Sequence, residues 1–235
     1  MINLSKRSAS KELLDEPGIP FEDIRLNMKE LNTINSLLGG HSITIDGIKK
    51  LLANITGSQP VSICEIGCGG GDNLHAIETY CKNKNIPAVF IGIDIKKECI
   101  DFARQQYPSL PATWIVSDYL QAAFSNQKPD IIFSSLFCHH FTEPELVGML
   151  NWMKTNSSSG FFINDLERNR FAYYSIKLLT RFFSKSYLVK NDAPVSVTRG
   201  FTKKEWQQLF QLAGINHYEL NWKWAFRHLA VYKHE

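Results

Sequence analysis

The hydrophobic pattern along the chain changes period once, near residue 60. Before that point Ile24, Met28, Leu31, Ile34 and Leu38 recur at three and four residues, which predicts one amphipathic helix. Gly39 and Gly40 supply a stop, and Ile45, Ile48, Leu52 and Ile55 begin the pattern again. "TGSQP", residues 56–60, reads as a linker. From Val61 onward five short apolar runs alternate with helical patterns: "VSICEIG", "AVFIGID", "ATWIVSD", "DIIFSSLF" and "GFFINDL". The intervening helices bury Leu74, Ile77 and Cys81, then Cys99, Phe102 and Ala103 with Gln106 on the same turns and a stop near Pro108, then Leu146, Leu150 and Met153. Asp72 stands where it can cap the first of them. After the fifth run, "RFAYYSIKLLTRFFSKSYLVK" reads as a helical, aromatic and basic segment, and "TKKEWQQLFQLAGI" as a capped helix ending at Gly214. Leu220, Trp222, Trp224 and Phe226 alternate, as do Leu229 and Val231, which predicts a closing antiparallel hairpin with both tryptophans packed on the sheet.

Near-continuously apolar strands alternating with helices belong to a parallel sheet covered on both faces. The chain is therefore expected to be α/β, a doubly wound and mostly parallel seven-stranded sheet with an antiparallel C-terminal hairpin. Residues 1–57 form an N-terminal helical extension, and residues 58–235 the main domain, with a helical insertion at about 167–200.

Composition narrows the partners. The 235 residues are 44% hydrophobic and 21% charged, with 26 Lys and Arg against 23 Asp and Glu, a formal charge of +3. That bias is too weak and too scattered for a nucleic-acid binder. The five cysteines (Cys64, Cys68, Cys81, Cys99, Cys138) are odd in number, fall mostly in apolar patterns, and read as reduced core thiols. No second pair follows Cys64 and Cys68 at a zinc spacing, and no metal is expected. The start of the chain lacks a signal-peptide core and no run is long enough to span a bilayer, so a cytoplasmic location is expected.

The chemistry begins at "EIGCGGGD", in the loop after the first strand. In open α/β sheets this is where ligands bind. A dinucleotide loop requires G-x-G-x-x-G, but Asp72 occupies the third glycine position and would face a pyrophosphate. The spacing E-x-G-x-G-x-G is met by Glu65, Gly67, Gly69 and Gly71. Asp94 ends the second strand, Asp118 the third, and Ser134 and Ser135 the fourth. The combination resembles class I S-adenosylmethionine-dependent methyltransferases, and the strand-four end with two histidines is similar to the small-molecule branch that includes quinone-biosynthesis enzymes. The resemblance implies a Rossmann-like methyltransferase fold and S-adenosyl-L-methionine as cofactor, released as S-adenosyl-L-homocysteine. It implies that Glu65 meets the ammonium group, with Gly67, Cys68, Gly69, Gly71 and Asn73 around the amino-acid part. Asp94 and Ile95 would meet the ribose, Asp118 and Tyr119 the adenine, and Ser134 and Ser135 the methionine backbone. The alternative for Asp94 and Asp118 is that they cap the helices that follow.

His139 and His140 follow the fourth strand, near the expected methyl group. A hydroxyl acceptor needs a base, and neutral imidazole suits that role, so His140 and then His139 are the catalytic candidates; the alternative is that they only shape the loop. Asp165 and Glu167 are further base candidates, read first as helix caps or as partners of Arg168 or Arg170. The segment from Phe171 can cover the crevice with Phe171, Tyr174, Leu178 and Phe182 inward, form an ordinary core helix, or touch a membrane surface. These readings favour O-methylation of a small lipophilic phenol, quinol or polyketide, with C-methylation second. The competing functions are a non-catalytic binder of the same cofactor and an NAD-dependent oxidoreductase. The partner is a small lipophilic molecule rather than nucleic acid, with no membrane insertion but possible peripheral contact; the oligomeric state is not legible.

Overall fold

A computed structural model describes residues 2–53, 55, 59–122, 124 and 127–234; Thr56, Gly57 and Ser58 of the expected linker lie outside them. Among the described residues the order is α1 (Phe21–Leu37), α2 (Gly40–Leu52), β1 (Val61–Ile66), α3 (Asp72–Asn83), β2 (Ala88–Asp94), α4 (Lys97–Gln106), β3 (Ala112–Val116) and β4 (Ile131–Ser135). Then come α5 (Glu143–Asn156), β5 (Gly160–Leu166), α6 (Arg170–Phe183), α7 (Tyr187–Arg199), α8 (Lys203–Leu212), β6 (Glu219–Lys223) and β7 (Arg227–Lys233). The seven strands lie in the order β3-β2-β1-β4-β5-β7-β6. β1 to β5 pair in parallel, and β7 runs antiparallel between β5 and β6. The chain order reverses on the two sides of β1, so the crevice for a ligand opens at the carboxyl ends of β1 and β4.

Alternation along the strands divides the core into two layers. Ile63, Phe133 and Phe162 face Ile48, Leu51, Leu74, Ile77 and Ile100. Cys64, Ile132 and Phe161 face Leu146, Leu150, Met153, Trp206 and Phe210. The first layer shows that α2 belongs to the core of the sheet: Ile48 and Leu51 are fully buried, and a Cβ on Gly47 would stand 2.5 Å from the Phe162 ring. No helix among the described residues is long and apolar enough to cross a membrane.

Three local readings change. The aromatic segment is two helices rather than one, because Ser186 accepts from the Val189 N–H and caps α7 (3.3 Å). Gly71, not Asp72, is the N-cap of α3, since its positive φ of 78° turns the chain into the helix. The terminal hairpin is shorter than the alternation implied. Trp224 and Phe226 lie in its turn, and Trp222 and Trp224 are exposed rather than packed on the sheet.

Candidate active site

The glycine loop starts from a buried acid. Glu65 is fully buried at the end of β1; its Oε1 accepts from Asn73 Nδ2 at 2.9 Å, and its Oε2 has no hydrogen-bond partner among the described residues. Burial, with Asp72 and then Asp94 nearby, pushes this carboxyl well above the usual range. A buried carboxylate oxygen left open is a receptor for a cationic donor, since an unpaired acceptor is otherwise costly. Gly67 has φ 66° and a Cβ there would come within 2.2 Å of the Phe137 ring; Gly71 has φ 78° and a Cβ would meet Trp114 at 2.5 Å. These two positions therefore require glycine in the fold itself. Cys68 is buried under the loop, with its N–H given to the Ile93 carbonyl at 3.1 Å. Asn73 also accepts from the Thr44 hydroxyl at 3.3 Å, and His41 holds Asp72 at 2.8 Å.

The next strand ends line up beside the loop. Asp94 Oδ2 accepts from the Gly69 N–H and Oδ1 from the Lys96 N–H, at 2.8 and 2.9 Å. Burial pushes its carboxyl up against the pull of those two N–H groups. A carboxylate has about four lone-pair positions, so Asp94 can still accept from two ribose hydroxyls. Ile95 is exposed next to it. Asp118 caps the short turn Tyr119–Gln121 through Leu120 N–H at 2.9 Å, which is the helix-cap role, and its neighbour Leu120 is exposed. Tyr119 packs edge-on against Trp152 and Phe141 within the core layer. Ser134 is buried against Cys138 Sγ (3.2 Å), and Ser135 accepts from Asn164 Nδ2 (3.3 Å). A surface cavity of about 310 Å³ is lined by Met28, Phe102 and Tyr107 and touches the loop at Gly70 and Asp72, not at the histidines.

The two histidines have different surroundings. His139 is buried, with Nδ1 2.8 Å from Asp165 Oδ1 and Nε2 3.4 Å from Glu12 Oε1. Burial alone would lower this imidazole; Asp165 and Glu12 outweigh it and hold it up at about 9. The same pairing brings Asp165 and Glu12 below their ordinary values in spite of burial. His139 is therefore a cation at neutral pH, fixed between two carboxylates. The His140 side chain keeps 22% of its surface exposed, with Nε2 3.7 Å from Glu12 Oε2 and Nδ1 3.5 Å from Asp15 Oδ2. Both contacts lie at or past the limit of a hydrogen bond, so this ring is held less tightly than that of His139.

The acids that complete this cluster come from the N-terminal strap. Asp192 of α7 accepts from the Leu13 and Leu14 N–H groups (2.8 and 2.9 Å), and Ser196 donates to Glu12 at 2.7 Å. Arg7 Nη2 donates to the His139 and Phe141 carbonyls, and Arg199 to those of His139 and His140. Ligand atoms of Glu12, His139 and His140 lie within 4.8 Å of one another, a spacing that a metal ion can bridge. Glu12, Asp15 and Arg199 were not singled out by sequence, because nothing local marks a residue whose partners lie about sixty or more positions away. Asp165 pairs with His139 rather than with an arginine, Arg168 pairs with Glu205 at 2.8 Å, and Glu167 accepts from Trp222 Nε1 at 2.8 Å.

Comparison with known proteins agrees with this geometry. Residues 63–159 match the family model described as "Methyltransferase domain". The plantazolicin methyltransferase BpumL, solved with S-adenosylhomocysteine, superposes with TM-score 0.67 at 17% identity, over 92% of this chain and 96% of that one. Magnesium protoporphyrin IX methyltransferase (ChlM) from Synechocystis PCC 6803, solved with bound S-adenosylmethionine, gives 0.55 at 12%, over 87% and 84%. The citrinin polyketide synthase CMeT domain gives 0.56 at 12%, over 78% of this chain and 49% of that one. A search of curated protein sequences returns no match. Residues 63–159 thus match a methyltransferase domain, and the chain as a whole shares the Rossmann-like fold of these solved methyltransferases.

Proposed function

We propose that the protein transfers the methyl group of S-adenosylmethionine to a hydroxyl of a small lipophilic acceptor, with His140 as general base. The observation that carries this reading is the asymmetry of the histidine pair: His139 is buried and paired with Asp165 and Glu12, while His140 is part-exposed, with Glu12 at 3.7 Å and Asp15 at 3.5 Å. The neighbours named for plantazolicin, magnesium protoporphyrin IX and a citrinin polyketide support a small-molecule acceptor. The proposed division has residues 1–57 as an N-terminal helical extension packing on the core and 58–235 as the methyltransferase domain, with a helical insertion at about 167–200 over the active site.

Bound S-adenosylmethionine supplies an electrophilic methyl on a sulfonium centre. Glu65 Oε2 would receive its ammonium group and Asp94 its ribose hydroxyls, while Ile95 with Leu120 would offer apolar surface for the adenine beside Asp118 and Tyr119. The Gly67–Gly71 loop and the Ser134–Ser135 strand end border the amino-acid part. The acceptor oxygen bonds to the methyl carbon as the carbon–sulfur bond breaks and its electron pair stays on sulfur. The hydroxyl proton passes to His140, whose new charge is met by Glu12 and Asp15 and which then returns the proton to water. A phenol near pKa 10 is ionised to about a part in a thousand at neutral pH, so such a base is worth roughly 10²–10⁴ in rate.

The test is incubation with methyl-labelled cofactor and a panel of long-chain phenols and quinols, read by mass spectrometry and by NMR of the labelled methyl. The expected result is an O-methyl product with wild type, and turnover lower by about 10² or more in His140→Ala with cofactor affinity kept. A C-methyl product, or His140→Ala turning over as fast as wild type, contradicts the proposal.

A further inference from the structure

α6 leaves its apolar face uncovered. Phe171, Tyr174, Leu178 and Phe182 recur at three and four residues along it and all are exposed, Phe171 by 76% and Phe182 by 69%, with Phe183 beside them at 82%. Ala172 and Thr180 form the buried side, against α7. The stripe from residue 171 to 182 is ~16 Å long at 1.5 Å per residue. Side chains this free stand on the surface rather than in the wall of a cleft, which corrects the inward-facing expectation. An apolar stripe of this size on a folded protein marks an interaction surface.

The charge around the stripe identifies its occupant. α6 contains no Asp or Glu. Lys177 and Arg181 are exposed along one flank, and Lys185 and Lys190 continue the basic band beyond the helix. Two acids beside the segment that follows the helix are engaged: Glu30 accepts from the Lys185 and Ser186 N–H groups, and Asp23 from the Tyr187 hydroxyl. We infer that α6 is a docking helix for an anionic lipid bilayer, its aromatic stripe entering the interface and its basic flank meeting the headgroups. A second copy of the chain is a poorer partner, because pairing the stripe with itself brings Lys177 and Arg181 against like charges. The helix follows β5, which ends at the crevice, and packs on α7, which contacts both the Glu12–Asp15 strap and the histidine turn. The docked face and the acceptor site thus share one end of the molecule. That the bilayer delivers the acceptor rests on the function proposed above; the docking does not.

Co-sedimentation of the full chain with unilamellar vesicles tests this, using phosphatidylglycerol mixed with phosphatidylcholine against phosphatidylcholine alone. The expected result is binding to the anionic vesicles, weaker by about tenfold or more in Lys177→Glu/Arg181→Glu. Phe182→Ser/Phe183→Ser should lose binding with unchanged far-UV circular dichroism, since both side chains are exposed. Binding of wild type should also weaken as salt shortens the screening length from about 10 Å at 0.1 M to about 3 Å at 1 M. No sedimentation, equal sedimentation of the variants, or a dimer by ultracentrifugation that the phenylalanine variants abolish would overturn the inference. Methyl transfer in the absence of vesicles is read separately, so failure of docking leaves the proposed reaction standing.

Discussion

At the scale of single residues, the acids at strand ends were legible because their position follows directly from the hydrophobic runs that precede them. Glu65 and Asp94 stand at the carboxyl ends of β1 and β2, and the Oε2 of Glu65 has no hydrogen-bond partner among the described residues. Gly67 is required by the fold as well as by the motif, since φ 66° and the Phe137 ring exclude a side chain there in the protein alone. The charge state of His139 was not legible, since it depends on Glu12, far away in sequence. Its folded value of about 9 lies above the ordinary 6.5, so its contribution to stability is complete below pH 6.5 and lost as pH rises through 9. The depressed carboxylates Asp165 and Glu12 work in the other direction, and their contribution is lost as pH falls below their ordinary 3.8 and 4.5. We predict that the melting temperature falls by on the order of 5 °C between pH 6.5 and 9. The raised Glu65 carboxyl contributes with the same sign, so the proton NMR titration of the His139 ring assigns the effect. A midpoint near 9 is expected, and one at or below 6.5 would remove the fixed cation from the site.

At the scale of elements, periodicity located the helices but not their joints. Apolar residues stand on both sides of Ser184-Lys185-Ser186, so α6 and α7 read as one segment; that short polar interruption was the local sign of a break, and Ser186 caps α7. The alternation at 220–226 continued past the end of β6 into a turn, because a large aromatic at every second position is as compatible with an exposed turn as with a sheet. The N-terminal strap carries no periodic signal, and it is anchored by α7 through Asp192. Asp192→Ala is predicted to lower stability by about 1–3 kcal/mol, because two N–H groups and the Glu12–Ser196 contact lose their anchor. Hydrogen exchange at Leu13 and Leu14 should accelerate, and turnover should fall as Glu12 and Asp15 lose their place. Unchanged exchange at those two amides would show that the strap is held elsewhere.

At the scale of the whole molecule, the sheet was the most legible feature. Strands apolar on both faces can only be interior to a covered parallel sheet, and the reversal of chain order about β1 then fixes which loops share the crevice. The fold brings a glycine loop, two acids and a histidine pair from four different strand ends to one edge. What sequence could not supply was the closure of that edge by α7 and the strap, which depends on contacts between distant segments. The pairing of an open buried carboxylate with a cationic methyl donor is the claim on which the reaction depends. Isothermal titration of the protein with S-adenosylmethionine, beside Glu65→Gln and a parallel titration with NADH, measures it directly. Saturable heat with S-adenosylmethionine, at least about tenfold weaker affinity in Glu65→Gln and no heat with NADH are the predicted results. Silence with the sulfonium donor, together with saturation by NADH, would contradict it.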